Sequence, residues 1–255
     1  MSMKASESPF DLQGLVAFVT GAGQGLGAEI AKQLVRHGAR VGVGDIDVGN
    51  ATRVARELSE SQAIALPLDV RSEQSVHQAR DTLIARWSRV DILVNSAAIS
   101  TRTPLFEISM QEFDDVLAVN LRGLFLGCQV FGELMKAQGF GRIVNLTSVA
   151  GQTGGSGTGA HYAASKAGII VLTKLFAKEL ARVGVTVNAV APGPISSSRT
   201  DALPSETLSK ILAQLPVGRL GTYAEVSEVV AFLASRGAGY ITGATWDING
   251  GMSMR

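Results

Sequence analysis

A chain of 255 residues, 46% of them apolar, is long enough for one α/β domain and too apolar to stay disordered. Its formal net charge of +1, with no basic run in either half, argues against nucleic acid or a membrane surface as a partner. The single cysteine, Cys128, has no internal disulfide partner. Its apolar neighbours Phe125, Leu126, Val130 and Phe131 mark it as a buried thiol suited to a reducing compartment.

Residues 1–11 are polar, contain Pro9 and lack the apolar segment of a secretory signal; the expectation is a flexible lead-in to one domain spanning 12–255. Charges interrupt every apolar stretch short of the roughly 18 to 20 residues that a membrane span requires, so a cytoplasmic protein is expected. Residues 15–20 form an apolar strand, followed by a glycine cluster and a helix over 25–37, with Gly38 at its C-terminal cap. Further strands are expected at 40–45, 64–68, 92–95, 142–146, 186–191 and 245–248. Helical patterns fall at 72–87, 109–138, 162–182 and 224–235. Within 162–182, Ile169, Leu172, Leu175, Phe176 and Leu180 recur at three- and four-residue steps, one apolar helix face. Apolar strands alternating with helices predict a doubly wound parallel sheet covered on both faces, its ligand crevice at the carboxyl ends of the strands. The glycine-rich run 154–159 and residues 196–200 read as local loops.

Thr20-Gly21-Ala22-Gly23-Gln24-Gly25-Leu26-Gly27 lies between the first strand and the first helix. Glycines there let backbone N–H groups approach a pyrophosphate seated at the helix terminus, and this placement favours a dinucleotide over an ordinary turn. Asp45 ends the second strand. A carboxylate at that point accepts from ribose hydroxyls and repels a 2′-phosphate, which predicts NAD in preference to NADP. A solvated loop acid is the alternative, and Asp47 keeps it open. Asp69, after the third strand, suits the adenine amino group or an N-cap-like turn.

Tyr162 and Lys166, four apart on a predicted helix, share one face. A phenol of reference pKa about 10 is a poor base, and a neighbouring ammonium lowers that value. The pair then suits proton exchange with an alcohol or ketone, although Tyr and Lys so spaced often only decorate a helix. Ser148 lies just beyond a strand, where a hydroxyl polarises a carbonyl or merely satisfies backbone. Asn120 holds a water or bonds to backbone.

Together these residues resemble the short-chain dehydrogenase/reductase family from about Leu12 to the C-terminus. The motifs stand in family order: the glycine cluster as TGxxxGxG, Asn95-Ser96-Ala97-Ala98 as a variant NNAG, Asn120, Ser148, Tyr162 to Lys166 as YxxxK, and Pro192-Gly193. The resemblance implies a single-domain Rossmann-type fold and a homotetramer paired through the long helices. It implies Tyr162 as acid/base, Ser148 orienting the substrate oxygen, Lys166 on the nicotinamide ribose, and Asn120 linking Lys166 to solvent. Cofactor contacts are expected from Gly21, Gln24, Gly25, Leu26, Gly27, Asp45, Asp69, Val70, Asn95, Ala97, Pro192, Gly193, Ile195 and Ser197, besides Tyr162 and Lys166. Ser96 and Ala98 depart from NNAG, and Ser197 stands where the family usually carries Thr.

His161, His37 and His77 are expected in structural, helix-terminal and surface roles, Trp87 and Trp246 in packing. No spacing suits a metal. Substrate contacts are expected from Ile99, Ser100, Val149, Ala150, 154–159 and 194–215, with Arg102 and Arg199 available to a carboxylate. The leading expectation is hydride transfer between NAD(H) and a small secondary alcohol or ketone. The alternative is a 3-oxoacyl-thioester reductase of the acyl-carrier-protein type. Two features disfavour it: that class typically uses NADPH, and Gly139 and Val183 stand where its docking arginines fall, with Arg142 and Arg182 nearby. A non-catalytic NAD-binding module is the third reading.

Overall fold

β-Branched and apolar runs too short for a helix pair as parallel strands once helices cover both of their faces. The computed structural model describes residues 10–155 and 157–254, without the side chain of Arg199. In chain order β1 (Val16–Thr20), α1 (Gly25–Arg36), β2 (Arg40–Asp45), α2 (Val48–Leu58), β3 (Ala63–Pro67), α3 (Glu73–Trp87) and β4 (Ile92–Asn95) form the first half. The second comprises α4 (Met110–Leu117), α5 (Gly123–Gln138), β5 (Gly141–Leu146), α6 (Ala150–Thr153), α7 (Ala160–Leu180), β6 (Val185–Pro192), α8 (Ser198–Asp201), α9 (Ser205–Leu212), α10 (Tyr223–Ala234) and β7 (Thr245–Ile248). The strands make one seven-stranded sheet in the order β3-β2-β1-β4-β5-β6-β7, every pair parallel. The fold is therefore the predicted doubly wound Rossmann-type α/β sheet.

Alternation along β1 divides the core. Ala17 and Val19 point to the layer of α1, α2 and α10, packing with Ile30, Leu34, Val54 and Val230. Val16 and Phe18 point to the layer of α3, α5 and α7, packing with Leu83, Phe131 and Ile169. Strand order reverses between β1 and β4, and the sheet opens its crevice at that switch.

Several expectations on helices change: the stretch 196–200, read as a loop, runs into the short helix α8, and α9 follows within 194–215, where no helix was expected. The helix α2 was not predicted; Asp47, weighed only as a loop acid, caps it by accepting from the Asn50 N–H at 3.0 Å. The continuous pattern over 109–138 is interrupted by a π turn at Ala118–Arg122, which carries Asn120 between α4 and α5. Of the lead-in, residues 1–9 lie outside the described residues. Among the described residues, no helix is long and apolar enough to cross a membrane.

Candidate active site

The carboxyl ends of the strands open onto a crevice of about 800 Å3. At one end lies the glycine turn: Gly21, Gln24, Gly25, Leu26 and Gly27 all line the wall. A Cβ on Gly27 would stand 2.2 Å from the Gly21 carbonyl oxygen, so only glycine lets α1 close against the turn that precedes it. Gln24 caps α1 without a side-chain hydrogen bond, leaving the first-turn N–H groups for a ligand. This combination of bare backbone, a helix start without a side-chain cap and a crevice of this volume fits a dinucleotide.

Asp45 and Asp69 both line the crevice, and both carboxylates are engaged. Asp45 accepts from the Gly23 N–H at 2.8 Å and the Asp47 N–H at 3.0 Å. Asp69 is gripped by Arg71 through Nε at 2.9 Å and Nη2 at 2.8 Å, and the guanidinium holds its carboxyl below the usual carboxylate range. Val70 and Ala97 line the wall beside them. Asn95 lies behind it. Its Nδ2 donates to Asn145 Oδ1 at 2.9 Å and to Cys128 Sγ at 3.3 Å, in a buried network that α7 completes through Thr173. Ser96 takes the place at the wall.

The other end carries the proposed chemistry. Ser148 follows β5 directly, and its Oγ accepts from the Ala150 N–H at 3.1 Å. Tyr162 and Lys166 lie one helical turn apart on α7 and line the crevice together with Ser148. The buried Lys166 ammonium stands 5.6 Å from the Tyr162 ring centroid and donates to the Leu146 carbonyl at 2.7 Å. Burial lowers its pKa from 10.5 to about 8, which leaves it mostly cationic at neutral pH. Pro192, Gly193, Ile195 and Ser197 complete this rim, Ser197 also capping α8.

Asn120 sits behind the rim. Its Oδ1 accepts from the Ile99 N–H at 2.8 Å, and its Nδ2 donates to the Ile99 carbonyl at 3.0 Å and Ser165 Oγ at 3.1 Å. The side chain thus clamps the loop that enters the substrate side. His161 is buried too: its Nε2 lies 2.9 Å from Thr101 Oγ1 and 3.1 Å from Glu112 Oε1, tying α7 to α4 and the same loop. Gly159, whose N–H donates to the Thr101 carbonyl, lies against the imidazole so closely that a Cβ would stand 2.1 Å from Cε1.

Several wall residues escape linear reading. Ile46, Arg71 and Tyr223 line the crevice. Arg71 is signalled only by its acid two residues earlier, and Tyr223 arrives from α10, some 200 residues after the turn it faces. Cys128 is buried, and burial pushes its thiol to about 12. Arg142 is buried against the Ser235 carbonyl and unavailable for docking, while the Arg199 side chain lies outside the described residues. No group of three or more metal-ligating side chains occurs among the described residues.

A bare glycine turn at a helix start and a Ser, Tyr and Lys cluster in one crevice fit an oxidoreductase. The family profile described as Enoyl-(Acyl carrier protein) reductase matches residues 21–253. The chain is 41% identical over 241 residues to a 3-oxoacyl-[acyl-carrier-protein] reductase FabG of Staphylococcus epidermidis, covering 93% of this chain and 98% of the relative. It is 39% identical over 244 residues to the FabG of Escherichia coli, covering 96% and 99%, and 41% identical over 245 residues to that of Vibrio cholerae, at the same coverage. The chain belongs to the short-chain dehydrogenase/reductase family and is an oxidoreductase of that family.

These relatives correct the cofactor expectation. They are named for the class in which NADPH is expected, and a preference for NAD over NADP does not stand against them. The physical ground weakens as well. Asp45 already accepts from two backbone N–H groups, one on each carboxylate oxygen, so part of its acceptor capacity holds the turn itself. Arg53, brought by the unpredicted helix α2, donates from Nη2 to the Gly23 carbonyl at 3.2 Å and from Nη1 to Glu57 at 2.9 Å, a link from α2 to the glycine turn that the linear sequence did not reveal.

Proposed function

We propose that this protein reduces the C3 ketone of a 3-oxoacyl thioester to the hydroxyl, with NADPH as the hydride donor. The observation that carries the reading is the gathering of Ser148, Tyr162 and Lys166 at one end of a crevice whose other end is a glycine turn. The substrate class rests on the names of relatives about 40% identical over nearly their whole length.

The dinucleotide supplies the hydride. The turn from Gly21 to Gly27 would hold its pyrophosphate, and Asp69, Val70 and Ala97 would meet its adenosine side. Ser148 donates a hydrogen bond to the ketone oxygen, where negative charge develops; one such donor contributes on the order of 10²–10³ in rate. Tyr162 gives that oxygen its proton through the phenolic hydroxyl, a step worth roughly 10²–10⁴. Lys166 offsets the charge left on the phenolate, its ammonium standing 5.6 Å from the centre of that ring. Asn120 acts at one remove by holding Ile99, and Asn95 by supporting β4.

A homotetramer belongs to the same reading. Phe106 is 98% exposed, with Leu105 and Met110 beside it and Phe125, Val171 and Leu175 exposed on the long helices. Light scattering with the purified protein checks this directly.

The activity test follows NADPH oxidation with acetoacetyl thioesters of carrier protein and of coenzyme A, using crotonyl thioester and simple ketones as comparisons. Turnover of the 3-oxoacyl thioester that falls at least about 10²-fold in Tyr162→Phe is expected. Turnover confined to the crotonyl thioester or to simple ketones overturns the substrate class. Turnover unchanged in Tyr162→Phe overturns the mechanism.

A further inference from the structure

Tyr223 opens α10, whose Val226 and Val230 pack in the same core layer as Ile30 and Leu34 of α1. The entry to α10 is tightly fixed. Thr222 Oγ1 accepts from the Glu225 N–H, the Glu225 carboxylate accepts from the Thr222 N–H at 2.9 Å, and Arg219 grips that carboxylate with both Nη atoms at 3.0 and 2.6 Å. The first residue of the helix is thereby held in place with its ring half-buried.

The ring reaches across to the glycine turn. Its hydroxyl lies 3.7 Å from the point where a Cβ on Gly25 would stand, and both residues line the crevice. Gly25 is the first residue of α1, where the free backbone N–H groups begin. The hydroxyl makes no hydrogen bond to another described residue, although a half-buried phenol ordinarily has a partner. A phenolic hydroxyl is a hydrogen-bond donor. What it faces is the place where phosphate oxygens sit if the glycine turn binds a dinucleotide.

We propose that Tyr223 is a pyrophosphate-binding residue, its hydroxyl donating to a phosphate oxygen held over Gly25. The proposal rests on the dinucleotide reading of the glycine turn and adds a second element, α10, to the phosphate site. A phenol that only fills space there behaves the same as phenylalanine, and this separates the two roles.

The test is a fluorescence titration of NADPH with the wild-type chain and with Tyr223→Phe, together with competition by adenosine, which carries no phosphate. The variant keeps its ring and removes a hydroxyl with no partner among the described residues, so its melting temperature stays at the wild-type value. A hydrogen bond to a charged phosphate predicts a dissociation constant for NADPH raised about tenfold or more. Adenosine competition changes less than about twofold, since adenosine leaves the phosphate site empty. Equal NADPH affinity in the two proteins overturns the proposal, as does an equal loss for adenosine. Absence of NADPH binding by the wild-type chain overturns the glycine-turn reading and the role of Tyr223 with it.

Discussion

The Nζ of Lys166 donates to the backbone carbonyl of Leu146 at 2.7 Å, tying the middle of the crevice wall on α7 to the last residue of β5. A lysine so placed is buried as a cation, with its pKa lowered to about 8 by desolvation. Below about pH 8 the ammonium is charged in the folded and unfolded chain alike, and the full cost of burying it is present. Between pH 8 and 10.5 the folded lysine is neutral while the unfolded one still binds a proton, so stability rises with pH across that window. Lys166→Met is therefore expected to be more stable than the wild type at pH 7, by up to about 3 kcal/mol, with the difference shrinking towards pH 10.5. Urea unfolding at pH 7 and pH 10 measures this. A difference that does not shrink excludes desolvation of the ammonium as its cause.

Gly159 and His161 form a pair that a double substitution resolves. Gly159 has φ −63° and ψ 148°, angles open to any residue, so alanine there meets chiefly the imidazole, with the Thr101 carbonyl oxygen next at 3.3 Å. Gly159→Ala is expected to cost about 1–3 kcal/mol in the wild type and much less in a His161→Ala background. Denaturant unfolding of the four proteins gives the coupling. If the cost of Gly159→Ala is the same in both backgrounds, the close contact is not its origin.

Cys128 is a buried hydrogen-bonded thiol, pushed to about 12, and carries almost no thiolate near neutral pH. Iodoacetamide at pH 8 is expected to leave it unmodified in the native protein and to alkylate it completely in urea, read by intact mass. Rapid native labelling at Cys128 would contradict its burial.

At Gly27 two effects oppose each other. Alanine in a helix is favoured over glycine by about 1 kcal/mol. Against this, the added Cβ would lie 2.2 Å from the Gly21 carbonyl oxygen, backbone that cannot swing aside. Gly27→Ala is expected to weaken NADPH binding more than about tenfold, the clash outweighing propensity. Retained affinity would show that the turn tolerates a wider approach.

Legibility from sequence followed the range of the interaction. Strands β1 to β7 were visible as local apolar runs, and most of the crevice wall was visible because motif residues sit at strand ends. Helix α2 was missed although Ala51, Val54, Ala55 and Leu58 carry its apolar period, since Asp47 was weighed for charge and not as a cap. The π turn at Asn120 left no mark because the apolar pattern runs through it. Placing Asn95 behind the wall required its contacts with Asn145 and Cys128, 50 and 33 residues away. The same holds for Arg53 at Gly23, a contact across 30 residues that no local pattern encodes.

The reversal of strand order between β1 and β4 separates labour along the chain. Wall residues from 21–27, 45–46 and 68–71 all precede β4, while Ser148, Tyr162, Lys166 and the rim at 192–198 all follow it. Under the proposed function, the first set meets the adenosine side of the nucleotide and the second meets the reacting carbon, while Tyr223 reaches back from the second half to the pyrophosphate. Substitutions that retune the adenosine end of the dinucleotide and substitutions that retune the acyl group therefore concentrate in opposite halves of the gene. A library confined to residues 45–71 varies the first without touching Ser148, Tyr162 or Lys166, so the choice of redox currency can drift while the chemical step stays fixed.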